Sequence, residues 1–600
     1  MCGIIGYASP DAEPAGDVLL DGLERLEYRG YDSAGLAVAN STIEVYKRAG
    51  ELASLESTLD GTDLVGSVGI GHTRWSTHGP PTDENAHPHT DCEGRVAVVH
   101  NGIVTNAEAL RAELVEAGHV FESDTDTEVV PHLLEEFLDR DLSPEEAFEC
   151  TLERIEGSYA IAAVVAGADA IYATRRHSPL VLGLDGETTY LASDVPAFLE
   201  QTDRVIYLED EQIVRLAPSE LVVRDGEGSV VEPPVETIDW DPEDVGKSGY
   251  DHFMLKEIYE QPQAVRQATR GRVSELDGTI ELTAFPTAMR NELDRVQFVG
   301  CGTSYYATRY GAALLRERGV PAQAFVASEY GTERVPTEDG TVVVGVTQSG
   351  ETADTLAALR DANGAGATTL AVTNVVGSSA ARECDAAVYV RAGPEISVAA
   401  TKSFASQQVT LATIASALAD GTDRPFLESI RDLPAQVQRV LDRSNARDVA
   451  EELVGADAYF FIGRGYQHPV ALEGALKMKE ITYEHAEGFP AGELKHGPLA
   501  LVTDRTPVVA LVTGGDDLVE KTLSNVREVE ARGAPVVAVT DDPDGVDGVA
   551  DHVLEVPETH RYLVPVLTNV QLQLLAYWTA NLLDRPIDKP RNLAKSVTVE

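Results

Sequence analysis

The C-terminal half of the chain repeats itself, and this repeat constrains the fold more than any other feature. Phe298-Val299-Gly300-Cys301-Gly302 returns 163 residues later as Phe461-Ile462-Gly463-Arg464-Gly465. A second apolar run, Thr369-Leu370-Ala371-Val372-Thr373, returns as Val536-Val537-Ala538-Val539-Thr540. Apolar strands that alternate with helices are typical of βαβ units, whose parallel sheets are buried on both faces. The repeat predicts two α/β doubly wound domains, with ligands at the carboxyl ends of the strands.

Two loops of the first repeat carry side chains suited to an anion. Gly300-Cys301-Gly302-Thr303-Ser304 and Thr347-Gln348-Ser349-Gly350-Glu351-Thr352 each follow a predicted strand and open a predicted helix. Converging backbone amides, hydroxyls and a helix N-terminus together favour an anion site. The dinucleotide motif is excluded because Tyr305 stands at its third glycine. Each loop alone is commonly a helix cap, but the pair favours a phosphosugar.

A helical segment of the second repeat aligns three charged residues. Glu473, Lys477 and Glu480 are spaced i, i+4 and i+7, so they lie on one face of the predicted helix. Two interpretations remain open from spacing alone. The residues form either an acid–base group or an ordinary surface ion-pair face.

The N-terminus places a thiol beside a potential free amine. Cys2 directly follows Met1, and aminopeptidases remove a methionine that precedes a small side chain. The α-amine of Cys2, with a pKa of about 7.7–8.0, can then act as a general base for its own thiol. The alternative is a small buried residue at the start of a strand.

The first 225 residues alternate short β-rich runs with turn dipeptides and two predicted helices. The helices are 107–117 and 127–138, the second with Asp126 as its N-cap. Asn101-Gly102 is the strongest hairpin-turn dipeptide, so it predicts a turn. This pattern fits an α+β domain with stacked antiparallel sheets between helices.

The charge balance excludes some partners. The chain has 47 basic and 99 acidic residues and a net charge of −52. Nucleic acid is not an expected partner, because phosphate backbones require a basic footprint. Acid dispersed along a chain with few lysines is typical of proteins adapted to concentrated salt, where self-repulsion is screened. We therefore expect a salt-accumulating microbial source.

Cysteine and hydropathy patterns set the remaining expectations. Five scattered cysteines do not indicate a disulfide framework. The N-terminus lacks the features of a signal peptide, and no apolar run reaches a membrane-spanning length, so a cytoplasmic protein without membrane contact is expected. His87-Pro88-His89 with Cys92 has a spacing that could suggest zinc.

Composition suggests the domain boundaries. An acidic, Pro- and Gly-rich segment at 226–250, which includes Asp239-Trp240-Asp241-Pro242, is the best linker in the chain. The predicted domains are an N-terminal α+β domain at 2–225, the linker at 226–250, the two doubly wound domains at 251–440 and 441–590, and a tail at 591–600.

Five motifs of the first part occur together in an order that resembles the glutaminase domain of the N-terminal-nucleophile amidotransferases. They are Cys2-Gly3-Ile4, Arg29-Gly30-Tyr31-Asp32-Ser33, Gly71-His72-Thr73-Arg74-Trp75, His100-Asn101-Gly102 and Thr125-Asp126-Thr127-Glu128. The resemblance implies that Cys2 attacks the glutamine side-chain amide. It implies an oxyanion hole from Asn101 and Gly102. Arg74 would bind the glutamine carboxylate, Asp126 its ammonium group, and Trp75 would gate the released ammonia.

The second part resembles the tandem sugar-isomerase domains of the glucosamine-6-phosphate synthase family. The resemblance is closest in 471–480, 492–498 and the tail 590–600. It implies that fructose 6-phosphate and glutamine give glucosamine 6-phosphate and glutamate. One departure is Thr347, where the family usually has serine, although the hydroxyl is kept.

The same resemblance implies roles for individual residues of the second part. Side chains that would hold the phosphate are Thr303, Ser304, Gln348, Ser349 and Thr352. Glu480 would move the proton between C1 and C2, with Lys477 and Glu473 beside it. His496 would open the sugar ring from a neighbouring subunit, which implies at least a homodimer, and Lys595 would contact the sugar. No cofactor and no metal are needed by such enzymes, so none is expected.

Two alternatives remain. Another amidotransferase, making phosphoribosylamine or asparagine, would need a nucleotide or diphosphosugar site. A phosphosugar-binding regulatory protein would have lost catalysis, against which Cys2, Glu480, His496 and Lys595 argue.

Overall fold

The structure is a computed structural model of the 600-residue chain. It describes residues 2–10, 15–59, 62–76, 79–238, 247–274, 279–280, 282, 289, 293–332, 335–337, 340–418, 423–514 and 517–598. The chain divides into two compact units, unit 1 (1–245 with 594–600) and unit 2 (246–593). The predicted removal of Met1 concerns a residue outside the described ranges. Among the described helices, none combines the length and apolarity needed to span a membrane.

The described part of unit 1 contains fifteen strands and five α-helices. The strands are β1 (Gly3–Ala8), β2 (Ser33–Ala39), β3 (Ile43–Ala49), β4 (Val68–Arg74), β5 (His89–Thr90), β6 (Val96–Val104), β7 (Gly157–Val165), β8 (Ile171–Arg176), β9 (Val181–Asp185), β10 (Thr188–Ala192), β11 (Arg204–Tyr207), β12 (Ile213–Ala217), β13 (Glu220–Arg224), β14 (Val230–Val231) and β15 (Glu236–Thr237). The helices are α1 (Ala15–Leu26), α2 (Leu52–Leu59), α3 (Ala107–Ala117), α4 (Val129–Leu138) and α5 (Pro144–Leu152).

These strands form two antiparallel sheets that stack face to face. Their orders are β15-β11-β9-β10-β1-β4-β2-β3 and β14-β13-β12-β8-β7-β6-β5. Strand β6 shows why they stack, because alternate residues point to opposite faces. Ala97 and Val99 share a core with Ile4 of the other sheet, whereas Val96 and Val98 pack against α3 and α4. Helix α1 covers the outer face of the first sheet. The predicted α+β fold of stacked antiparallel sheets between helices is confirmed.

Two local predictions in unit 1 are wrong. Asn101-Gly102 is not a turn but lies inside β6, in register with Ala160 and Tyr159 of β7. Gly102 has φ +127°, and a Cβ there would collide with the backbone oxygen of Ser158, so the glycine permits close approach inside a sheet.

Asp126 does not cap the helix that follows it. Helix α4 begins at Val129, and its N-cap is Glu128, which makes no side-chain capping bond. Asp126 Oδ2 instead accepts a hydrogen bond from the backbone N–H of Val104, 2.7 Å away. The carboxylate therefore joins the start of α4 to the end of β6. Helix α3 has the predicted bounds.

The described part of unit 2 contains twelve strands and twelve α-helices. The strands are β16 (Val273–Ser274), β17 (Thr279–Ile280), β18 (Arg295–Gly300), β19 (Ala322–Val326), β20 (Thr341–Thr347), β21 (Thr368–Thr373), β22 (Ala386–Tyr389), β23 (Tyr459–Gly463), β24 (Ala486–Pro490), β25 (Val508–Val512), β26 (Val536–Thr540) and β27 (His552–Glu555). The helices are α6 (Phe253–Tyr259), α7 (Gln261–Thr269), α8 (Gly302–Glu317), α9 (Ala327–Tyr330), α10 (Ala353–Gly364), α11 (Ser379–Glu383), α12 (Lys402–Ala417), α13 (Arg424–Arg443), α14 (Ala446–Leu453), α15 (Gln467–Thr482), α16 (Asp517–Glu530) and α17 (Val564–Leu582).

Unit 2 confirms the two doubly wound domains. Its two five-stranded parallel sheets have the orders β19-β18-β20-β21-β22 and β24-β23-β25-β26-β27. Both follow the flavodoxin-like 2-1-3-4-5 order, whose topological switch point lies between the first and third strands. Phe298 and Phe461, which begin the sequence repeat, lie in one continuous apolar core. Helix α8 of the first repeat packs against α15 of the second.

The structure also bears on the segments around the predicted boundaries. Within 226–250, β14 pairs with β13 and β15 pairs with β11, so this part of the proposed linker belongs to the sheets of unit 1. Residues 239–246 of the linker are outside the described ranges. The boundary proposed at residue 440 falls inside helix α13.

Candidate active sites

The Cys2 thiol lies at the start of β1, beside the end of β4. The backbone N–H of Trp75 is 3.4 Å from Sγ, and Sγ is 3.6 Å from the Trp75 carbonyl oxygen. The Cys2 side chain is partly exposed, so the thiol is both anchored and accessible. A nucleophile needs this combination, because it must be aimed and still reach a substrate.

Asn101 is held next to Cys2 by a directed hydrogen-bond chain. Its Nδ2 donates to the Cys2 carbonyl oxygen at 3.0 Å. His72 Nε2 lies 3.1 Å from both Asn101 Oδ1 and the His100 carbonyl oxygen, and two acceptors require that this nitrogen carries the proton. The His72 N–H therefore fixes which way the Asn101 amide points. Its NH₂ group faces Cys2.

Four buried histidines lie near Asn101 of β6: His72, His87, His89 and His100. Burial keeps the first three neutral. The pKa of His72 is lowered to about 3, chiefly by desolvation, and the pKa values of His87 and His89 lie well below 6.5 for the same reason. The rings of His72 and His87 stack with centroids 4.2 Å apart. His100 Nδ1 lies 2.8 Å from Thr127 Oγ1. The cluster thus joins β4 and β6 to the segment before α4.

Arg74 lies close enough to both Cys2 and Asp126 to interact with them electrostatically, and Trp75 contacts the thiol through its backbone. Arg74 is buried at the end of β4, and its Nη1 donates to Ser76 Oγ at 3.1 Å. Burial lowers the pKa of Arg74, while the nearby Cys2, Asp32 and Asp126 oppose that shift. A buried guanidinium among acidic groups is suited to a ligand with both a carboxylate and an ammonium.

Two positioning residues, Arg29 and Asp32, were not singled out by the sequence analysis. Arg29 Nε donates to the Cys2 carbonyl oxygen at 3.2 Å, and its Nη1 pairs with Asp194 at 2.7 Å. Asp32 Oδ2 accepts from the backbone N–H of Ser76 at 2.7 Å, which orders the loop after Arg74. Both residues stand in a quoted motif, but their contacts join elements far apart in sequence, which no local pattern reveals.

The two hydroxyl-rich loops of the first repeat flank the switch point between β18 and β20. Ser304 Oγ accepts a hydrogen bond from Gln407 Nε2 at 3.0 Å. In the other loop, Thr347 Oγ1 lies 3.0 Å from Thr352 Oγ1 and accepts from the Gly350 N–H at 3.2 Å. The hydroxyl of Thr347, where the family usually has serine, thus holds the loop in place through these two contacts.

The helix-cap interpretation of these loops does not hold. The N-cap residues of α8 and α10 are Cys301 and Thr352, and neither makes a side-chain capping bond. Ser304 and Thr352 make the side-chain contacts just described instead. The hydroxyls converge at the carboxyl ends of adjacent parallel strands, where doubly wound sheets bind ligands.

The three charged residues of α15 meet the first loop through Thr303. Lys477 Nζ donates to Glu480 Oε2 at 2.6 Å and to Thr303 Oγ1 at 3.0 Å, and it lies 3.4 Å from Glu473 Oε1. Thr303 Oγ1 in turn donates to Glu473 Oε1 at 3.1 Å. Helix α15 of the second repeat therefore places an acid–base group in contact with Thr303, which precedes Ser304 in the first loop.

The surface ion-pair interpretation of this helix face is wrong. The side chains of Glu473 and Lys477 are 0% and 1% exposed, whereas that of Glu480 is 19% exposed. Burial raises the pKa of Glu473 to about 8, and the two neighbouring carboxyls raise the pKa of Lys477 against its own desolvation. Near neutral pH, Glu473 therefore holds a proton and Lys477 is charged, and Glu480 is the member of the group that faces solvent.

His496 and Lys595 lie on segments other than the α15 helix that carries this cluster. His496 ends the short 3₁₀ segment Ala491–His496 and is exposed. Lys595 lies in the tail 594–600, which groups with unit 1.

Comparison with known proteins gives matches along the whole chain. The glutamine amidotransferase domain matches residues 72–200, and the SIS domain matches residues 290–417 and 452–583. A glutamine–fructose-6-phosphate aminotransferase (isomerising) of Halobacterium salinarum is 51% identical, and one of Methanosarcina mazei is 46% identical, each over 100% of both chains. The solved C-terminal domain of glucosamine-fructose-6-phosphate aminotransferase from Francisella tularensis is 37% identical with a TM-score of 0.55, covering 57% of this chain and 99% of that chain.

Proposed function

This chain belongs to the family of glutamine–fructose-6-phosphate aminotransferases (isomerising), and from that premise we propose which of its residues carry out the reaction. The enzyme converts D-fructose 6-phosphate and L-glutamine to D-glucosamine 6-phosphate and L-glutamate, the first step in making aminosugar nucleotides. The amidotransferase domain supplies nitrogen, and the sugar-isomerase domains rearrange the ketose.

In the first half-reaction, Cys2 is the nucleophile. Its thiolate attacks the glutamine side-chain amide, ammonia leaves, and water hydrolyses the thioester to glutamate. The Asn101 amide and the Gly102 N–H stabilise the oxyanion, and loss of one such donor typically costs about 10²–10³ in kcat. Arg74 binds the α-carboxylate and Asp126 the α-ammonium of glutamine. The Asn101 amide that His72 aims toward Cys2 supports this assignment.

In the second half-reaction, the loops of the first repeat bind the sugar phosphate. The binding side chains are Thr303, Ser304, Gln348, Ser349 and Thr352. Glu480 transfers the proton between C1 and C2, and Lys477 holds its carboxylate in place. The observation that most supports this assignment is the pair of hydrogen bonds at Thr303, whose hydroxyl donates to Glu473 and accepts from Lys477 and so joins the binding loop to the acid–base group.

We also propose a homodimer in which His496 serves the partner's sugar site. His496 is exposed at the end of its 3₁₀ segment, which leaves the imidazole accessible to a second copy. Lys595 acts on the sugar carbonyl, as the family resemblance implies. The cytoplasmic location and the adaptation to concentrated salt remain predictions.

The ammonia travels from Cys2 to the sugar through a path that excludes bulk water, with Trp75 as its gate. In bulk water near neutral pH, ammonia is largely protonated and ammonium is not a nucleophile. The N–H and the carbonyl oxygen of Trp75 both contact the Cys2 thiol. The Trp75 side chain is therefore attached to the chain next to the atom where ammonia is released.

The test uses the full-length chain with glutamine and fructose 6-phosphate in molar potassium chloride. Glutamate and glucosamine 6-phosphate are measured together by mass spectrometry. Wild type should form both in equal amounts, and Cys2→Ala should form neither while still isomerising fructose 6-phosphate to glucose 6-phosphate. Glutamine-dependent synthesis by Cys2→Ala would overturn the assignment, and amination of aspartate or a diphosphosugar would favour another amidotransferase.

The proposed ammonia gate at Trp75 is tested by the yield of aminosugar per glutamate released. Trp75→Ala should release glutamate but yield less aminosugar per glutamate, while Trp75→Phe should preserve the ratio because an aromatic ring remains. Equal ratios in Trp75→Ala and wild type would rule out the gate.

A further inference from the structure

A cluster of four potential metal ligands lies in unit 1, apart from the Cys2 site. Cys92, His119, His132 and Glu135 each place one donor atom within 4.8 Å of all the others. They come from three places in the fold: the loop between β5 and β6, the residue that follows the C-cap of α3, and helix α4. Chain segments distant in sequence therefore converge on one point.

Three of four distances within the cluster match the edges of a tetrahedral zinc site, and the fourth, from Glu135 to His119, is shorter. Cys92 Sγ lies 3.7 Å from His119 Nδ1 and 3.7 Å from His132 Nδ1. Glu135 Oε2 lies 2.8 Å from His119 Nδ1 and 3.3 Å from His132 Nδ1. Bond lengths of about 2.3 Å for Zn–S and about 2.0–2.1 Å for Zn–N or Zn–O imply tetrahedral edges of about 3.6 Å and 3.3 Å, respectively.

The outer contact of His119 fits that of a metal ligand. His119 Nε2 lies 3.1 Å from Glu136 Oε1, and its Nδ1 faces Glu135 Oε2. A metal on Nδ1 would leave Nε2 to donate to the Glu136 carboxylate. This carboxylate–histidine–metal arrangement is typical of zinc sites.

The remaining ligands suit the same ion. His132 and Glu135 are buried, whereas Cys92 is exposed and provides a route for metal entry. The second carboxylate oxygen of Glu135 lies 3.9 Å from Arg95 Nη2, which can hold the carboxylate in place. Thiolate and imidazole together select zinc over calcium or magnesium. A thiolate and a carboxylate with two neutral imidazoles also balance the charge of a divalent cation.

We propose that Cys92, His119, His132 and Glu135 bind one Zn²⁺ ion as a structural site. Four protein ligands leave no open position, which distinguishes a structural zinc site from a catalytic one. This proposal departs from the sequence-based expectation of no metal, and it groups Cys92 with other histidines than His87 and His89. Those two histidines lie instead in the buried cluster beneath Asn101, where His89 Nε2 contacts Thr125 Oγ1 at 3.0 Å.

The site connects β6, which carries the oxyanion-hole residues, with α4, which follows the segment that carries Asp126. Cys92 precedes β6, which carries Asn101 and Gly102, and His132 and Glu135 lie on α4, which follows Asp126. The ion joins the start of β6 to α4 and so stabilises their relative placement within unit 1. Removal of zinc should therefore impair glutaminase activity more than phosphosugar isomerisation.

The experiment measures zinc in the full-length chain. Wild type and variants are purified with added Zn²⁺, dialysed to remove loosely bound ions, and analysed by inductively coupled plasma mass spectrometry. Wild type should retain one zinc per chain, and Cys92→Ala and His119→Ala should retain none. Cys150→Ala, which removes a thiol of unit 1 outside the cluster, should retain one. Zinc content that is equal in wild type and Cys92→Ala, or absent from wild type, would overturn the proposal.

Cobalt gives a second readout that does not depend on activity. Co²⁺ in the wild-type site should show the intense d–d bands of a tetrahedral ion and a thiolate-to-cobalt charge-transfer band. Cys92→Ala should lose the charge-transfer band, and Cys150→Ala should keep it. If the spectrum is that of octahedral Co²⁺, the ion is bound by surface carboxylates and the proposed site is wrong.

Discussion

The two halves of unit 2 have the same sheet but different loops at the switch point. In the first repeat, the loops after β18 and β20 carry Thr303, Ser304, Gln348 and Ser349. At the matching positions of the second repeat, the chain carries Tyr466, Gln467, Thr513 and Gly514. The hydroxyl-rich pattern that favours a phosphate is thus present in one copy only, although the backbone topology is the same in both.

The second repeat contributes in another way. The Tyr466 hydroxyl donates to Glu317, a residue of α8 that also pairs with Arg561. The helix that follows, α15, carries Glu473, Lys477 and Glu480 toward the first repeat. On the proposed assignment, the first copy of the fold binds the sugar phosphate and the second supplies the acid–base groups.

The largest expected effect distinguishes the buried face of α15 from its exposed face. Lys477→Met removes the cation between two carboxyls, and breaking a buried ion pair costs about 3–5 kcal/mol. Lys479→Met, an exposed neighbour on the same helix, should change the free energy of unfolding by no more than about 0.5 kcal/mol. Urea unfolding of both variants measures this difference. Similar losses in the two would mean that Lys477 behaves as a surface residue.

A smaller effect distinguishes the two switch points. Ser304→Ala should raise the KM for fructose 6-phosphate by about tenfold or more, because a hydrogen bond to a charged group is worth about 1.5–3 kcal/mol. Thr513→Val, at the position that matches Gln348, should leave this KM unchanged. Initial-rate measurements at saturating glutamine test the pair. An equal rise in both variants would show that the repeats share the binding role.

A third expected effect is a pH dependence of the free energy of unfolding that belongs to Glu473. Its pKa is raised to about 8 by burial, against about 4.3 for an exposed glutamate. Between about pH 4.3 and about pH 8, the Glu473 carboxyl therefore holds a proton in the folded chain that it loses in the unfolded chain. The resulting stability is fully present below about pH 4.3 and is lost as the pH rises through 8, with a slope of at most about 1.4 kcal/mol per pH unit.

Glu473→Gln should remove that slope. Thermal unfolding of the variant and wild type between pH 5 and pH 8 should give curves that diverge, with the wild type losing more stability as the pH rises. Parallel curves would show that Glu473 is already ionised throughout the range.

Regular features of this chain could be predicted from sequence because they are local. The repeat at Phe298 and Phe461 predicts two parallel sheets, and α3 has the bounds that its sequence pattern predicts. The i, i+4, i+7 spacing places Glu473, Lys477 and Glu480 on one face, and their contacts agree.

Features that depend on contacts between distant segments were not predictable. Asn101-Gly102 reads as a turn locally, but pairing with β7 makes it strand. An aspartate such as Asp126 can cap a helix, but its carboxylate accepts a hydrogen bond from the Val104 N–H instead. Cys92 lies close to His89 in sequence, whereas the fold places it with His119, 27 residues away.

The division of labour in unit 2 is tested most directly by hydrogen exchange at the sugar. Fructose 6-phosphate is incubated without glutamine in D₂O, and deuterium in the recovered hexose phosphates is measured by mass spectrometry. Cys2→Ala should exchange as wild type does. Glu480→Gln should bind fructose 6-phosphate with wild-type affinity by calorimetry, yet exchange about 10²–10⁴-fold more slowly, because it lacks the base. Near wild-type exchange in Glu480→Gln would contradict the assignment of proton transfer to the second repeat.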